Sequence, residues 1–128
     1  MKPSFSSLHE MWFDGHRNRN SGVEAQLAKT YREAWKSGDT SDRCNVLHFI
    51  FVRRDQTAFD LILDGIRTGN ASVGSEAAAI ACCLLNDGFE LGPSIGESLK
   101  LFGERLPEWS EISAAALRLL ANRETTNQ

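Results

Sequence analysis

A run of apolar residues long enough to cross a bilayer is missing from this chain of 128 residues. Its first residues, MKPSFSSLHEMWFDGH, hold one lysine and no apolar run of seven, so no secretory signal is expected there. Cysteine is scarce and odd in number. Three thiols fit a reducing compartment better than a disulfide framework, and the expected location is cytoplasmic. A basic excess is also missing: 14 Lys plus Arg stand against 17 Asp plus Glu, a net charge of −3, which disfavours a nucleic-acid binder. Strand signals are absent save for VLHFIFV, whose helical flanks leave it no partner strand. No glycine cluster is followed by the Lys-Ser/Thr of a phosphate loop.

What is present is helical punctuation. Residues 5–14 read as a short helix and Gly15–Gly22 as a polar loop. Ser21 and Glu24 form a capping box that opens a helix with Val23, Leu27, Tyr31, Ala34 and Trp35 on one stripe. That helix is expected to end at Ser37-Gly38 with a left-handed glycine. The stretch Arg43–Arg53 is apolar around most of its circumference, which predicts a helix buried on all sides. A successor from about Asp55 puts Phe59, Ile62, Leu63 and Ile66 on one face, and Gly69-Asn70 ends it. SEAAAIACCLLND, beginning at Ser75, is rich in small residues that let neighbours approach closely. Gly92-Pro93 then opens a sixth helix, Pro107 ends it, and Trp109–Asn122 forms the last. Residues 123–128 read as a frayed tail.

Leu47, Ile50 and Phe51 align with Ile80, Cys83 and Leu84 at a period of 33 residues; Ala81, Leu84 and Leu85 recur 35 later as Ala116, Leu119 and Leu120. Such a period implies stacked helix pairs, each too thin to bury its own apolar face. The expectation is one all-α domain over 1–128, of six to seven short helices stacked as antiparallel hairpins. It has N-terminal helices over 1–38 and repeats over 40–122.

Chemistry-bearing residues are few. His9 and His16 are seven apart, two helical turns or about 10 Å, too far for one ion even with Glu10 nearby. His48, in the most apolar helix, reads as a core or boundary histidine. Cys82 and Cys83 point about 100° apart on a helix and read as small buried hydrophobes. No catalytic residue, cofactor site or metal site is therefore assigned. Asp60 and Asp64 lie one turn apart, and Glu97 and Glu104 occupy a similar place two helices on. Two basic spots, Arg17 with Arg19 and Arg53 with Arg54, could touch phosphates. Trp12, beside Phe13 on a short terminal helix, is a candidate interface anchor.

SEAAAIACCLLNDGFELGPSIGESLKLF resembles a HEAT-type repeat. Ala77, Ala81, Leu84 and Leu85 match its first helix, Asp87 the acid of the turn, and Ile95, Leu99 and Phe102 its second helix. Arg43–Ile66 matches more loosely, with Asp55 near the turn. The resemblance implies that second helices line the concave side, which would gather Asp60, Asp64, Glu97 and Glu104 into an acidic surface. In size, charge and architecture the chain is also similar to small immunity proteins of bacterial toxin systems, those of contact-dependent growth inhibition and polymorphic toxins. This likeness implies a non-catalytic protein-binding domain that neutralises a cognate toxin domain, such as a nuclease, by occlusion. It would be a monomer when free and would form a 1:1 complex, with no membrane and no nucleic acid as partner. The other readings are a nucleic-acid-binding HEAT-like domain using Arg17, Arg19, Arg53 and Arg54, and a small adaptor or regulatory subunit.

Overall fold

The computed structural model describes residues 21–126, with side chains from Ala28 to Arg123. The helix expected over 5–14, Trp12 included, lies outside the described residues. Six α-helices follow: α1 (Ser21–Ser37), α2 (Thr40–Arg53), α3 (Phe59–Thr68), α4 (Ala71–Asn86), α5 (Ile95–Arg105) and α6 (Ser110–Thr126). Two 3-10 turns, Gln56–Ala58 and Pro107–Trp109, precede α3 and α6, and the described residues hold no strand.

Helices two apart in the chain lie side by side. α2, α4 and α6 make one layer; α3 and α5 make the other, extended by α1 through its side-chain contacts to α3. Across the layers α1 packs on α2, α3 on α4 and α5 on α6, so the close pairs are framed one helix earlier than Arg43–Ile66 and Ser75–Phe102. Small residues permit those approaches. A Cβ on Gly65 would sit 3.0 Å from the Ala77 Cβ of α4, and one on Gly103 would sit 3.2 Å from the Ser113 Oγ of α6. One buried cluster runs from Tyr31 of α1 to Ala116 of α6, with Leu47, Ile50, Ile62, Ile66, Leu84 and Leu99 fully enclosed. Burying such side chains stabilises by roughly 1.5–3 kcal/mol each.

The two central helices of the first layer stop in the same way. Arg54 N–H donates to the Phe51 carbonyl and Asp55 N–H to that of Ile50; Gly88 N–H donates to Leu85 and Phe89 N–H to Leu84. Each bond of the second set falls 34 residues after its counterpart. Arg54 and Gly88 both take positive φ, 55° and 95°, as this six-to-one closure requires. The equivalence between α2 and α4 is therefore 34 residues, not 33: the buried Val46, Leu47 and Ile50 correspond to the buried Ile80, Ala81 and Leu84. In the other layer the spacing is 37, since Leu61 and Ile62 correspond to Ser98 and Leu99, all buried. The difference arises in the connections, because the α4–α5 loop is longer than the α2–α3 one.

Several local expectations are corrected. Gly38 ends α1 without a left-handed φ. It is required for space instead, as a Cβ there would fall 2.3 Å from the Ala34 carbonyl oxygen and 2.7 Å from the Asp42 Cβ. Asp39 caps α2 through a reciprocal box with Asp42. α2 is not buried all round, since His48 and Val52 are exposed. α4 starts four residues before Ser75, because Asn70 supplies the cap by accepting from Val73 N–H at 2.9 Å. α6 continues through Thr126, past the tail expected to fray at 123.

Tyr31 is wholly buried, and its hydroxyl has no hydrogen-bond partner. Burial pushes its pKa well above the ordinary phenol range, with the nearby Arg53 and Asp55 charges opposing each other. An unsatisfied buried hydroxyl costs roughly 1–3 kcal/mol. Tyr31→Phe is therefore expected to raise the unfolding free energy by about 1 kcal/mol in urea titrations, and a loss of stability would show that the hydroxyl is paired in solution.

Candidate functional site

Among the described residues no group of three His, Cys, Asp or Glu side chains could hold a metal ion. His48 is exposed and stacks edge-on with Phe49 of its own helix, at 6.4 Å between ring centroids. It is a surface residue, not a core one. Cys83 is exposed and Cys82 half-buried, which corrects the expectation that both are enclosed. Burial pushes the thiols of Cys44 and Cys82 up in pKa, with the charge of Glu76 adding at Cys44 and that of Cys83 at Cys82. A raised thiol pKa leaves little thiolate, so neither is poised as a nucleophile. No described helix is long and apolar enough to cross a membrane.

The four acids expected to share a surface divide into two pairs. Asp60 and Asp64, on α3, are held by α1. Arg32 donates both terminal nitrogens to Asp60, at 2.7 and 2.9 Å, and also reaches the Thr57 carbonyl at 2.9 Å. The Trp35 Nε1–H donates to Asp64 at 2.6 Å. Both carboxylates therefore serve the α1–α3 contact. Glu97 and Glu104 differ: they are exposed on α5 and make no ion pair among the described residues.

The Arg32 hydrogen bonds hold the Asp60 carboxyl below the usual carboxylate range. The folded protein thus binds that proton more weakly than the unfolded chain does. The pair's contribution is present above the unfolded pKa of about 3.9 and is lost as pH falls through the lower folded value. Because both side chains are about half exposed, 45% and 58%, solvent screening keeps it under about 1 kcal/mol. Asp60→Asn should cost that much at pH 7 in chemical denaturation. Mutant and wild type should converge as pH drops below the folded carboxyl pKa, and a gap that persists there would contradict the assignment.

Several arginines reach the ends of neighbouring helices, while Arg67 and Arg118 are exposed. Arg43 Nε donates to the Trp35 carbonyl at 2.9 Å while its guanidinium lies 5.7 Å from the Trp35 ring centroid. Arg54 donates to the Phe51 carbonyl and to Asp87, the latter at 2.9 Å, and lies over the Phe51 ring. Arg105 donates to the carbonyls of Gly69 and Ile66 at 2.7 and 2.9 Å; Arg123 does the same to Phe89 and Leu85 at 2.7 and 2.5 Å. In each case cationic donors meet carbonyls at a helix C-terminus, where orphan acceptors and the macrodipole both favour positive charge. Arg53 has a side chain only 10% exposed and faces Asp55 at 3.9 Å. Arg53 and Arg54 accordingly present no ready phosphate clamp, while Arg17 and Arg19 lie outside the described residues.

The carboxylates of Glu97, Glu104, Glu108 and Glu111 stand exposed on α5, the following turn and the start of α6, with Lys100 and Arg105 exposed among them. Beside them is an open groove of about 550 Å³ between the C-terminal turns of α3 and α5. Ile66, Arg67 and Thr68 form one wall, with Leu101, Phe102, Glu104 and Arg105 opposite. Leu101 is 52% exposed, the most accessible large apolar side chain described; Trp109, in the turn before α6, is 39% exposed. Sequence reasoning found the two glutamates and missed Leu101. Its signal was available: Leu101 falls off the Ile95, Leu99 and Phe102 stripe that faces the core.

No protein-family profile, curated protein or solved structure matches this chain. The functional reading therefore rests on the residues themselves.

Proposed function

We propose that this chain is a non-catalytic protein-binding domain, and specifically a cognate immunity protein that binds and neutralises a bacterial toxin domain by occlusion. The observation that carries the proposal is the division of charge. Arg43, Arg54, Arg105 and Arg123 reach carbonyls at helix ends, whereas Glu97, Glu104, Glu108 and Glu111 of α5, the α5–α6 turn and the start of α6 are exposed and make no ion pair among the described residues. A protein that turns its acids outward in this way suits a basic partner surface, such as the active-site cleft of a nuclease, and would steer its approach. The helix stack supports the same reading, because a rigid two-layer scaffold offers a preformed face with little ordering cost on binding. The domain would act in the cytoplasm, as a monomer that forms a 1:1 complex with its toxin. Within this proposal Asp60 and Asp64 keep α1 in place, and Glu97 and Glu104 meet the partner.

The test is capture of a partner on the immobilised protein at two salt concentrations, followed by co-expression. One small protein should be retained at near-unit stoichiometry, more weakly at high salt, and should arrest growth when expressed without this chain. Glu97→Lys with Glu104→Lys should slow association by about tenfold or more at low ionic strength, the scale that charge steering supplies. Wild-type association rates in the double variant would remove the acidic face from the proposal. Retention of nucleic acid instead of protein would replace the reading altogether.

A further inference from the structure

We infer that residues 5–14, which lie outside the described residues, dock as a helix on the flank of α2 that faces away from α4 and close that end of the stack. This assignment stands apart from the toxin-binding reading, since it concerns what covers α2 within the chain itself. α2 packs against α1, α3 and α4. The Asn70 side-chain amide, at the start of α4, donates to Thr40 Oγ1 at 2.9 Å and marks the α4 side. Arg43, donating to the Trp35 carbonyl, marks the α1 side, and α3 belongs to the same layer as α1. Going round α2 from Thr40, His48 and Val52 come at roughly 80° and 120°, Phe49 at 180° and Arg53 at 220°, with Arg43 reached at 300°. His48 and Val52 are exposed. Beyond them, opposite α4, exposure would be expected to continue. Instead Phe49 is only 4% exposed and the Arg53 side chain 10%. A further element must cover that flank.

The order of the layers says what belongs there. Helices two apart in the chain lie side by side, so a helix preceding α1 would fall next to α2, on the side away from α4. The sequence before α1 has the pattern for it: Phe5, Leu8, Met11 and Trp12 recur at spacings of three, three and one. The six residues from Gly15 to Asn20 can span up to about 20 Å, and packed helices lie roughly 8–10 Å apart, so the chain reaches. So short a tether holds the segment at a local concentration in the millimolar range, which favours it over a second copy as the occupant. The opposite end of the stack shows what a finished end looks like. α6 exposes Ala114, Arg118, Ala121 and Asn122, none of them a large apolar residue. A helical stack needs such an outer face at each terminus to stay soluble. With a buried phenylalanine on its outer flank, α2 is an interior helix of its layer. Trp12 then belongs to the closing helix and is not an anchor for a partner.

The experiment uses the full chain, isotopically labelled, and reads amide hydrogen exchange together with NOEs to the Phe49 ring. In the wild type that ring should show NOEs to Leu8, Met11 or Trp12, and amides within 8–14 should exchange about 100-fold or more slowly than in an unstructured chain. A Leu8→Asp, Met11→Asp double variant should lose both signals while α4 and α5 amides keep their protection. The uncovered Phe49 flank should then draw two copies together, seen as a mass that rises with concentration in light scattering. Unprotected exchange throughout 5–14 in the wild type overturns the inference. So do NOEs from Phe49 to a second molecule in a mixture of labelled and unlabelled chains, which would make another copy the occupant. A double variant that keeps wild-type protection over 8–14 overturns it as well. Each of these results is obtained without a toxin, so failure of the closing helix and failure of the immunity reading are separate events.

Discussion

Trp35→Ala is expected to lower the unfolding free energy by about 3–5 kcal/mol, a large share of the 5–15 kcal/mol of a typical domain. The side chain is 7% exposed and joins three helices at once. Its ring edge fills the notch left by Gly65, where an added Cβ would lie 3.1 Å from the Trp35 Cη2. Its indole N–H donates to Asp64 of α3, and its face receives Arg43 of α2. Truncation removes the area, opens a cavity between α1 and α3, and leaves Arg43 without its ring. Trp35→Phe separates packing from the hydrogen bond. Asp64 is exposed and can rehydrate, so losing the donor should add only about 1 kcal/mol to the packing deficit. Urea titrations of both variants decide the matter. A cost below about 1 kcal/mol for the alanine variant would mean that α1 contributes little to the folded state.

The fold class, the six helices and most of the core residues were readable from the sequence, since Ile62, Ile66, Leu84, Leu99 and Phe102 recur with helical spacing and are buried as that spacing implies. The repeat register was off by one for a physical reason. A match of apolar residues aligned Ile50 with Cys83, yet Cys83 faces solvent and Leu84 is the true counterpart. The sharper marker was the residue that must adopt positive φ. At Gly88 that residue is a glycine, but at Arg54 it is not, so the first copy of the same closure carried no glycine signal. Connections of unequal length then gave the two layers different spacings, and no single period could fit both.

The candidate site was half legible for a related reason. A helical wheel shows that Asp60, Asp64, Glu97 and Glu104 avoid the core, but not which neighbour each one meets. Arg32 and Trp35, some 30 residues upstream, decide that Asp60 and Asp64 belong to the α1–α3 contact. Nor does local pattern reveal that an arginine reaches a helix end far away in the chain. Arg105 and Arg123 act 36 to 39 and 34 to 38 residues from their own positions, beyond any spacing that a single helix imposes.

The arginine caps therefore carry the second large expected effect. Arg105→Ala and Arg123→Ala should each lower stability by about 1.5–3 kcal/mol, the range for hydrogen bonds made by a charged group. Both guanidiniums make two such bonds to carbonyls at or just past a helix C-terminus, the Leu85 carbonyl also accepting from Gly88 N–H. The sites lie at opposite ends of α4: Arg105 at Gly69, just before its start, and Arg123 at Leu85, in its last turn. Sixteen residues at 1.5 Å each separate them by about 24 Å, so the losses should add to about 3–6 kcal/mol in the double variant. Lysine discriminates the cause. It retains the charge that the helix dipole favours but cannot bridge two carbonyls, so Arg105→Lys should recover only part of the loss. Full recovery by lysine in urea titrations would mean that charge alone stabilises these helix ends. A double variant as stable as wild type would mean that water serves the carbonyls equally well, and the arginines would then be free to face a partner. That outcome would also weaken the acidic-surface proposal, which counts these guanidiniums as held at helix ends.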